Sequence, residues 1–385
     1  MRRKPRICII GNKYWPSADG PSRVIEDIVS ELKDDYDFTL YTYPDPHSQA
    51  WMSGVRVIEM GPYPLGVIGV FLFILKCALH ARKSGPFDLI HVHKTDAAFC
   101  IPLFPSDVPV VATSHEVPYK RAKWSWAVKA YFHLMEKIYV RSHAHLTAIA
   151  APLTDYYIQR YRRNVTFIPN GIDTATPFNL PAAKALLASH QMRGAYICFA
   201  ARRIIPTKGA HHMLAALQKI AYKGQVIIIG DDTELPAYTM RLHALAEGLN
   251  VTFLGLVKEK ATLMSLIQGA KLFVFPSETE GMSIMLLEVA NVGTPLVISD
   301  IPENTAVLER EEALFFQNQN VDDLAKQISW AITHEPKMET KAKLAQDKVR
   351  TIYDRKAIAE QYHLLFQELI LKPVLLLLLL YLNIV

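Results

Sequence analysis

The sequence predicts an α/β protein of two Rossmann-like domains, each with a doubly wound parallel sheet. Three observations lead to this prediction. The chain has 385 residues, more than the roughly 100–200 residues of a typical single domain. Short apolar runs alternate with longer amphipathic segments along its whole length. The apolar runs contain few polar residues, which is typical of parallel strands covered by helices on both faces.

The first half predicts one such domain over residues 1–175. Seven short apolar runs are predicted to be strands, at 6–11, 37–43, 55–60, 88–93, 108–115, 145–150 and 165–170. Helical segments fall between most of them, and the clearest are Pro21–Leu32, Gly66–Arg82 and Ala127–Arg141.

The second half repeats the pattern and predicts a domain over residues 180–345. Its predicted strands are 195–202, 224–230, 250–255, 271–277 and 294–300, and its clearest helices are 211–221, 238–248 and 261–270. A segment rich in Pro, Thr and Asn, 173–181, separates the two halves. One or two long helices are expected over 337–371, followed by an apolar tail, 372–385.

Composition narrows the classes of function. Half of the residues are hydrophobic and 21% are charged, as in a globular protein. The net charge of +5 is too small to indicate a nucleic-acid partner, although it favours an anionic ligand or membrane surface. The first apolar run is shorter than the roughly 7–15 residues that a signal peptide needs. Four scattered cysteines are expected to be buried, reduced thiols of a cytoplasmic protein: Cys8, Cys77, Cys100 and Cys198.

Three segments raise the question of membrane contact. The apolar segments 65–79 and 374–385 are too short to span a bilayer alone, because twelve helical residues cover about 18 Å of about 30 Å of hydrocarbon. The second is compatible with a shallow anchor, a packed helix or the start of a longer span. Segment 119–129 interleaves Lys120, Arg121, Lys123 and Lys129 with Trp124 and Trp126. That pattern suits an anionic membrane interface, and a solvated surface with packed aromatics is the alternative.

The strongest candidate site lies in segment 276–295, where a strand, a loop and a helix follow one another. Glu280 is expected at the entrance of a helix that starts near Gly281, and Glu288 inside that helix. The amides of Gly281, Met282 and Ser283 would suit an oxyanion or sugar hydroxyls. The alternative is that Glu280 only favours a helix N-terminus and that Glu288 lies on a solvated face. The apolar neighbours of Glu288 weigh against this alternative.

Two cations follow a strand of the second half, in a loop that opens a helix. Arg202 and Lys208 have the charges to clamp a diphosphate, with solvated cations as the alternative. Arg203 is adjacent and leaves the choice of arginine open. In the first half, Gly20 follows the first strand, where a missing side chain lets the backbone approach a phosphate.

Histidines mark the first predicted sheet. His115 directly follows a strand, where it can donate to a sugar hydroxyl or assist proton movement. A histidine without such a role is the alternative. His91 and His93 lie inside a strand and are expected to be structural.

Several motifs, in order along nearly the whole chain, resemble the signature of glycosyltransferase family four, which has the GT-B fold and is also described as glycosyl transferases group 1. Segment 276–295 carries Pro-Ser, Glu-Gly, a second Glu eight residues after the first, and Gly-x-Pro. The other motifs are FDLIHVH at 87–93, TSHE at 113–116, FIPNGID at 167–173, ARRIIPTKG at 201–209, VTFLG at 251–255 and SDIPEN at 299–304.

This resemblance implies two domains facing a cleft, with the acceptor on the first and the donor on the second. It also implies that a terminal helix, 346–371, packs back on the first domain. Glu280 would contact the donor sugar and Glu288 the nucleotide ribose, while Arg202 and Lys208 would bind the diphosphate. His115 would be catalytic together with Glu280. Relatives often have two adjacent glycines at the position of Gly20, so this chain departs from the family there.

The implied activity is retaining transfer of a sugar from a nucleotide-sugar donor to a glycan or lipid-linked acceptor. The place would be the cytoplasm, with peripheral contact at the cytoplasmic face of an anionic membrane as a hypothesis. A nucleotide-sugar epimerase on the same fold and a non-catalytic sugar-nucleotide-binding subunit are the alternatives. No G-x-G-x-x-G fingerprint occurs, which disfavours a dehydrogenase. We expect no cofactor and no metal site, because the carboxylates of 230–236 are explained by turn chemistry.

Overall fold

A computed structural model describes residues 3–16, 19–46, 48, 52–120 and 124–382, without the side chains of Lys120 and of residues 372–382. Arg121 and Lys123 of the predicted membrane segment lie outside the described residues, as do residues 383–385 of the tail. The chain divides into two compact units: unit 1 is Met1–Gly171 with Arg355–Val385, and unit 2 is Ile172–Asp354. Each unit contains a parallel sheet, which confirms the predicted fold class.

In the described part of unit 1, the sheet has seven strands, in the order β3-β2-β1-β4-β5-β6-β7. They match the seven predicted runs: β1 (Arg6–Ile10), β2 (Asp37–Thr42), β3 (Arg56–Glu59), β4 (Leu89–His93), β5 (Val110–Ser114), β6 (His145–Ala148) and β7 (Thr166–Phe167). All neighbouring strands are parallel. Residues Ile7 to Ile10 of β1 have no exposed surface, because helices cover both faces of the sheet.

The first four helices of unit 1 are α1 (Gly20–Leu32), α2 (Gly66–Ser84), α3 (Trp126–Arg141) and α4 (Ala151–Tyr161). Asp19 caps α1, since its Oδ1 accepts a hydrogen bond of 2.8 Å from the amide of Ser22. A 3-10 segment, Thr95–Leu103, packs against both α2 and α3.

Within the described residues, the sheet of unit 2 has six parallel strands in the order β10-β9-β8-β11-β12-β13. They are β8 (Tyr196–Arg203), β9 (Gln225–Asp231), β10 (Asn250–Gly255), β11 (Leu272–Phe275), β12 (Leu296–Ser299) and β13 (Leu314–Phe316). The sequence analysis did not predict β13. This strand has three residues, Leu314–Phe316, and lies at the edge of the sheet.

The helices of unit 2 are α5 (Leu180–Ser189), α6 (Ala210–Lys219), α7 (Pro236–Ala246), α8 (Lys260–Gln268), α9 (Ile284–Asn291), α10 (Pro302–Thr305), α11 (Val321–Thr333) and α12 (Glu335–Ile352). On one face of the sheet, α6 and α11 enclose a core with the strands. Leu214, Val226 and Ile328 are fully buried in this core.

The last helix, α13 (Arg355–Leu382), belongs to unit 1. It packs against α1, and the ring of Phe366 lies 5.8 Å from that of Tyr36. Arg355 Nε lies 2.7 Å from Glu31 Oε1, which fixes the start of the helix. Residues 346–352, which the sequence analysis assigned to the terminal helix, belong instead to α12 of unit 2. None of the helices that the described residues form is long and apolar enough to cross a membrane.

All four cysteines are buried and none forms a disulfide, as predicted. Burial raises the pKa of the thiols of Cys8, Cys77, Cys100 and Cys198. Their role is therefore packing.

Candidate functional site

The candidate donor site of unit 2 lies where β8 and β11 end. These strands are neighbours in the sheet, although β9 and β10 separate them in the sequence. Open parallel sheets bind ligands at such a switch in strand order, outside the carboxyl ends of the strands. Lys208 follows β8 and Glu280 follows β11, so the topology brings together two residues that are 72 positions apart.

The ammonium of Lys208 contacts both carboxylate oxygens of Glu280. Lys208 Nζ donates to Oε1 at 2.7 Å and to Oε2 at 2.9 Å. The Lys208 side chain is 29% exposed and that of Glu280 is 9% exposed, so the pair is largely shielded from water. The residue predicted to bind phosphate and the residue predicted to bind the sugar thus lie side by side.

Glycine at position 209 makes this contact possible. Gly209 has φ +75°, and a Cβ there would lie 1.9 Å from the carbonyl oxygen of Pro276. Lys208 ends a single 3-10 turn, Pro206–Lys208, directly before α6. The amide of Glu278 also donates to the carbonyl of Thr207 at 2.9 Å. The turn that carries Lys208 is therefore held against the loop that carries Glu280.

Arg202 and Arg203 are distinguished by their surroundings. Both lie within β8 and not in the loop that the sequence analysis expected, because the strand continues through Arg203. Both side chains are exposed, and Arg203 pairs with Glu234 at 3.2 Å. The pKa of Asp231 is lowered, by hydrogen bonds from Thr233 first and by the charge of Arg202 last. Across the described residues, no hydrogen bond or ion pair joins Arg202 to Lys208 or Glu280.

The helix after the loop begins later than predicted. It starts at Ile284 and not near Gly281, because Ser283 is its N-cap and Ser283 Oγ accepts from the amide of Leu286 at 3.3 Å. Gly281 and Met282 consequently precede the helix. The N-terminal amides of α9 start at the cap, where the positive end of the helix dipole lies.

Glu288 lies inside α9 and is buried, not on a solvated face. Its carboxylate pairs with the ammonium of Lys260, the first residue of α8. The sequence analysis did not select Lys260, since nothing in its local sequence indicates a partner in another helix. In this structure the carboxylate predicted to bind ribose is already neutralised by a cation.

His115 of unit 1 is buried in a row of histidines. Its Nε2 lies 3.0 Å from His93 Nδ1, and His91 Nε2 lies 2.8 Å from Thr113 Oγ1. Burial lowers the pKa of His115 to about 3, with a further lowering from Lys94 and an opposing effect of Asp19. His115 is therefore neutral near pH 7. His91 and His93 lie in β4 with no exposed surface.

Gly20 is the first residue of α1 and has no steric need to be glycine. A Cβ at this position would meet nothing within 4 Å. The glycine that this region does require is Gly11, with φ +98° and a Cβ position 2.1 Å from the carbonyl oxygen of His93. Gly11 was not selected from the sequence, since a single glycine after a strand is a weak signal.

Two sequence-family models match the chain, one in each unit. The model described as Glycosyl transferases group 1 matches residues 189–348, and the model described as Glycosyltransferase Family 4 matches residues 18–176. Glycogen synthase of Mycobacterium tuberculosis is 25% identical over 342 residues, which are 82% of this chain and 80% of that protein. Phosphatidyl-myo-inositol mannosyltransferase of Mycolicibacterium smegmatis is 28% identical over 238 residues, which are 60% of this chain and 58% of that protein.

The fold also matches a solved structure. HepE from Anabaena, in complex with UDP-glucose, aligns with a TM-score of 0.78 at 20% identity. The alignment covers 94% of this chain and 100% of that chain.

Proposed function

Because the chain belongs to the glycosyltransferases of family four, which have the GT-B fold, we propose that it transfers a sugar from a nucleotide-sugar donor with retention at the anomeric carbon. Unit 2 binds the donor in this proposal. The similar HepE was solved with UDP-glucose, which supports a donor of that class. The relatives named above are a glycogen synthase and a mannosyltransferase, which favours glycosyl transfer over an epimerase or a non-catalytic subunit.

The contact between Lys208 and Glu280 carries the proposal. The ammonium binds the donor diphosphate, and the carboxylate accepts hydrogen bonds from hydroxyls of the adjoining sugar. Their direct contact supports the proposal that the two subsites adjoin, as the diphosphate and the sugar do in a nucleotide sugar. Arg202, near the end of β8, is assigned to the same diphosphate. Gly281, Met282 and Ser283 follow Glu280 directly, and their backbone is assigned to the same donor.

The reaction proposed is a front-face displacement. The bond from the anomeric carbon to the diphosphate oxygen breaks while the bond to the acceptor oxygen forms on the same face. The acceptor proton passes to the departing diphosphate. Lys208 stabilises the negative charge that develops on this leaving group. Since a protein cation serves that purpose, the proposal needs no metal cofactor for the transfer.

Glu288 and two residues of unit 1 complete the proposed set. Glu288 accepts hydrogen bonds from the ribose hydroxyls, which requires the donor to share or displace Lys260. His115, being neutral near pH 7, donates or accepts one hydrogen bond to a sugar hydroxyl and does not act as a charged group. Gly20 is assigned to the donor through its backbone at the start of α1.

We further propose a glycan or lipid-linked acceptor and peripheral contact with an anionic membrane at its cytoplasmic face. The Mycolicibacterium smegmatis relative is a phosphatidyl-myo-inositol mannosyltransferase, and its name supports a lipid acceptor. Unit 1 exposes apolar side chains on two helices: Ile68 of α2 is 64% exposed and Trp126 of α3 is 82% exposed. The exposed side of α2 also carries Lys76, and its last turn carries Arg82 and Lys83. Apolar and basic side chains together suit an anionic interface.

A screen of nucleotide sugars by thermal unfolding tests the donor assignment. A donor that binds only the folded chain must raise its Tm, whereas no shift with any nucleotide sugar would remove the basis of the proposal. Incubation of the stabilising donor without acceptor then separates transfer from epimerisation. An epimerase would release an altered donor, and a transferase would leave the donor sugar unchanged.

Sedimentation with vesicles tests the membrane proposal. We expect the chain to sediment with phosphatidylglycerol vesicles and less with phosphatidylcholine vesicles. The variant Ile68→Asn/Trp126→Asn should remain in the supernatant. Met240→Asn is the matched control, because Met240 is 67% exposed, close to the value for Ile68, but lies in unit 2. Equal sedimentation of both variants would contradict the surface we assign.

A further inference from the structure

Unit 2 contains a second cluster of ionisable side chains, formed by His211, His212 and Glu278. Glu278 Oε1 lies 3.0 Å from His212 Nε2 and 3.7 Å from His211 Nε2. Each residue offers one ligand atom, and the three atoms lie within 4.8 Å of one another. Among the described residues, this is the one group of three or more His, Cys, Asp or Glu side chains that lie so close together. The two histidines are adjacent at the start of α6, and Glu278 lies in the loop after β11.

These distances fit the coordination shell of a small divalent cation. Zinc binds imidazole nitrogen at about 2.0–2.1 Å and carboxylate oxygen at about 2.0–2.2 Å. In tetrahedral geometry, ligand atoms at those bond lengths lie about 3.3–3.5 Å from one another. The separations of 3.0 Å and 3.7 Å from Glu278 bracket that spacing. All three ligand atoms lie within 4.8 Å of one another, so binding one ion would draw them closer together.

The surroundings also favour the metal-binding form of the ligands. His211 Nδ1 lies 2.8 Å from the hydroxyl of Tyr238. The tautomer in which Nδ1 donates to this oxygen leaves the Nε2 lone pair directed at the cluster, as outer-shell partners of metal-bound histidines do.

Glu278 is held in place through its backbone. Its amide donates to the carbonyl of Thr207, and its carbonyl accepts from Asn318 Nδ2 at 3.2 Å. The three side chains are 9%, 13% and 22% exposed, in the order His211, His212, Glu278. A cation from solution can therefore reach the cluster, and water can fill a fourth position.

We propose that His211, His212 and Glu278 form a binding site for a divalent transition-metal ion of the zinc class. Two imidazoles and one carboxylate are a ligand set that zinc accepts, with one position left open for water. The ion joins the start of α6 to the loop after β11. Lys208 lies in the turn before α6 and Glu280 in the same loop after β11, so the ion helps to fix their relative position. It is a structural ion in this proposal, not a participant in sugar transfer.

Zinc titration of the full chain without a polyhistidine tag, after treatment with EDTA, tests the proposal. We expect one saturable zinc per chain by calorimetry and a Tm that rises by several degrees with zinc. The variant His212→Gln/Glu278→Gln should lose both effects. His190→Gln is the matched control, since it removes an exposed imidazole from the same unit and should bind zinc like the wild type.

A third variant keeps the test valid where the double substitution impairs folding. Tyr238→Phe leaves all three ligands in place and removes only the partner of His211, so zinc affinity should fall by about 10–100-fold. Absence of saturable zinc binding, or equal binding by the wild type and a folded double variant, would overturn the proposal. The test uses zinc alone, so its failure leaves the proposed sugar transfer untouched.

Discussion

Replacing Lys208 with methionine tests the charge pair on which the proposed donor site depends. Methionine keeps most of the length of the side chain and removes the ammonium. Glu280 then keeps its negative charge without its partner at 2.7 Å. The substitution is expected to weaken donor binding strongly and to destabilise the fold only moderately.

The expected effect on stability follows from the contact distance. At an effective dielectric constant of about 20, unit charges 2.7 Å apart attract by about 6 kcal/mol before desolvation is subtracted. Desolvation offsets most of this attraction, so the loss of one partner costs about 1–3 kcal/mol. Because the Lys208 side chain retains 29% exposure, we expect the lower part of that range and a Tm lower by a few degrees.

The effect on the ligand is larger in relative terms. A hydrogen bond to a charged group contributes about 1.5–3 kcal/mol, so the Kd for the diphosphate should rise about 10–150-fold. In turnover, loss of one charge-stabilising donor costs about 10²–10³-fold in kcat. The unpaired Glu280 carboxylate would repel the diphosphate and increase both effects.

Calorimetry with the nucleoside diphosphate and monophosphate of the donor identified by the screen measures this prediction. Lys208→Met should lose more affinity for the diphosphate than for the monophosphate. Arg203→Met is the matched control, because Arg203 is an exposed cation of the same segment that pairs with Glu234. Its affinity for both nucleotides should stay within about twofold of the wild type. Unchanged diphosphate affinity in a folded Lys208→Met variant would refute the assignment.

Three other predictions concern the glycines, Glu288 and the buried histidines. In urea unfolding, Gly209→Ala should destabilise unit 2 by about 2–4 kcal/mol, because a left-handed φ is combined there with a backbone clash. Gly20→Ala should change stability by less than about 1 kcal/mol in the same assay, because a Cβ at that position meets nothing. Glu288→Gln should weaken ribonucleotide binding about tenfold, and a nucleotide without ribose hydroxyls should bind both proteins equally. Burial lowers the pKa of His91 and His115 to about 3, so the folded chain keeps both neutral while the unfolded chain protonates them below about pH 6.5. The free energy of unfolding should thus fall as pH drops from about 6.5 towards 3, by up to about 1.4 kcal/mol per pH unit for each histidine. Urea unfolding measures this effect, and a midpoint that does not change between about pH 7 and pH 5 would contradict it.

Most secondary structure could be predicted from the sequence because the hydrophobic patterns of strands and of helices are local. The run Ile7–Ile10 is apolar throughout, and the structure buries all of it. The predictions failed where the local pattern was weak, or where it continued across a break between two elements. β13 is only three residues long, and the helical pattern runs across the break between α12 and α13 at 352–355. The start of α9 was misplaced because the side chain of Ser283 caps it, and a serine between apolar residues gives little warning of that role.

Only part of the candidate site could be predicted from the sequence. Glu280 and Lys208 were selected from their motifs, but nothing local shows that their side chains touch across 72 positions. The partner of Glu288 and the cluster of His211, His212 and Glu278 were not foreseen. In each case the partners come from different elements, and Lys260 has no sequence signal of its own.

The sequence by itself determined the α/β class, the strands of both sheets except β13, and the residue types available for binding a diphosphate and a sugar. It did so because the hydrophobic patterns that distinguish strands from helices extend over only a few neighbouring residues. Only the tertiary structure decided which of these residues meet. Strand order places β8 beside β11, and side-chain contacts between distant segments follow from that order, which no local period records. Burial, which sets the charge state of His115, is likewise decided only when the elements pack together.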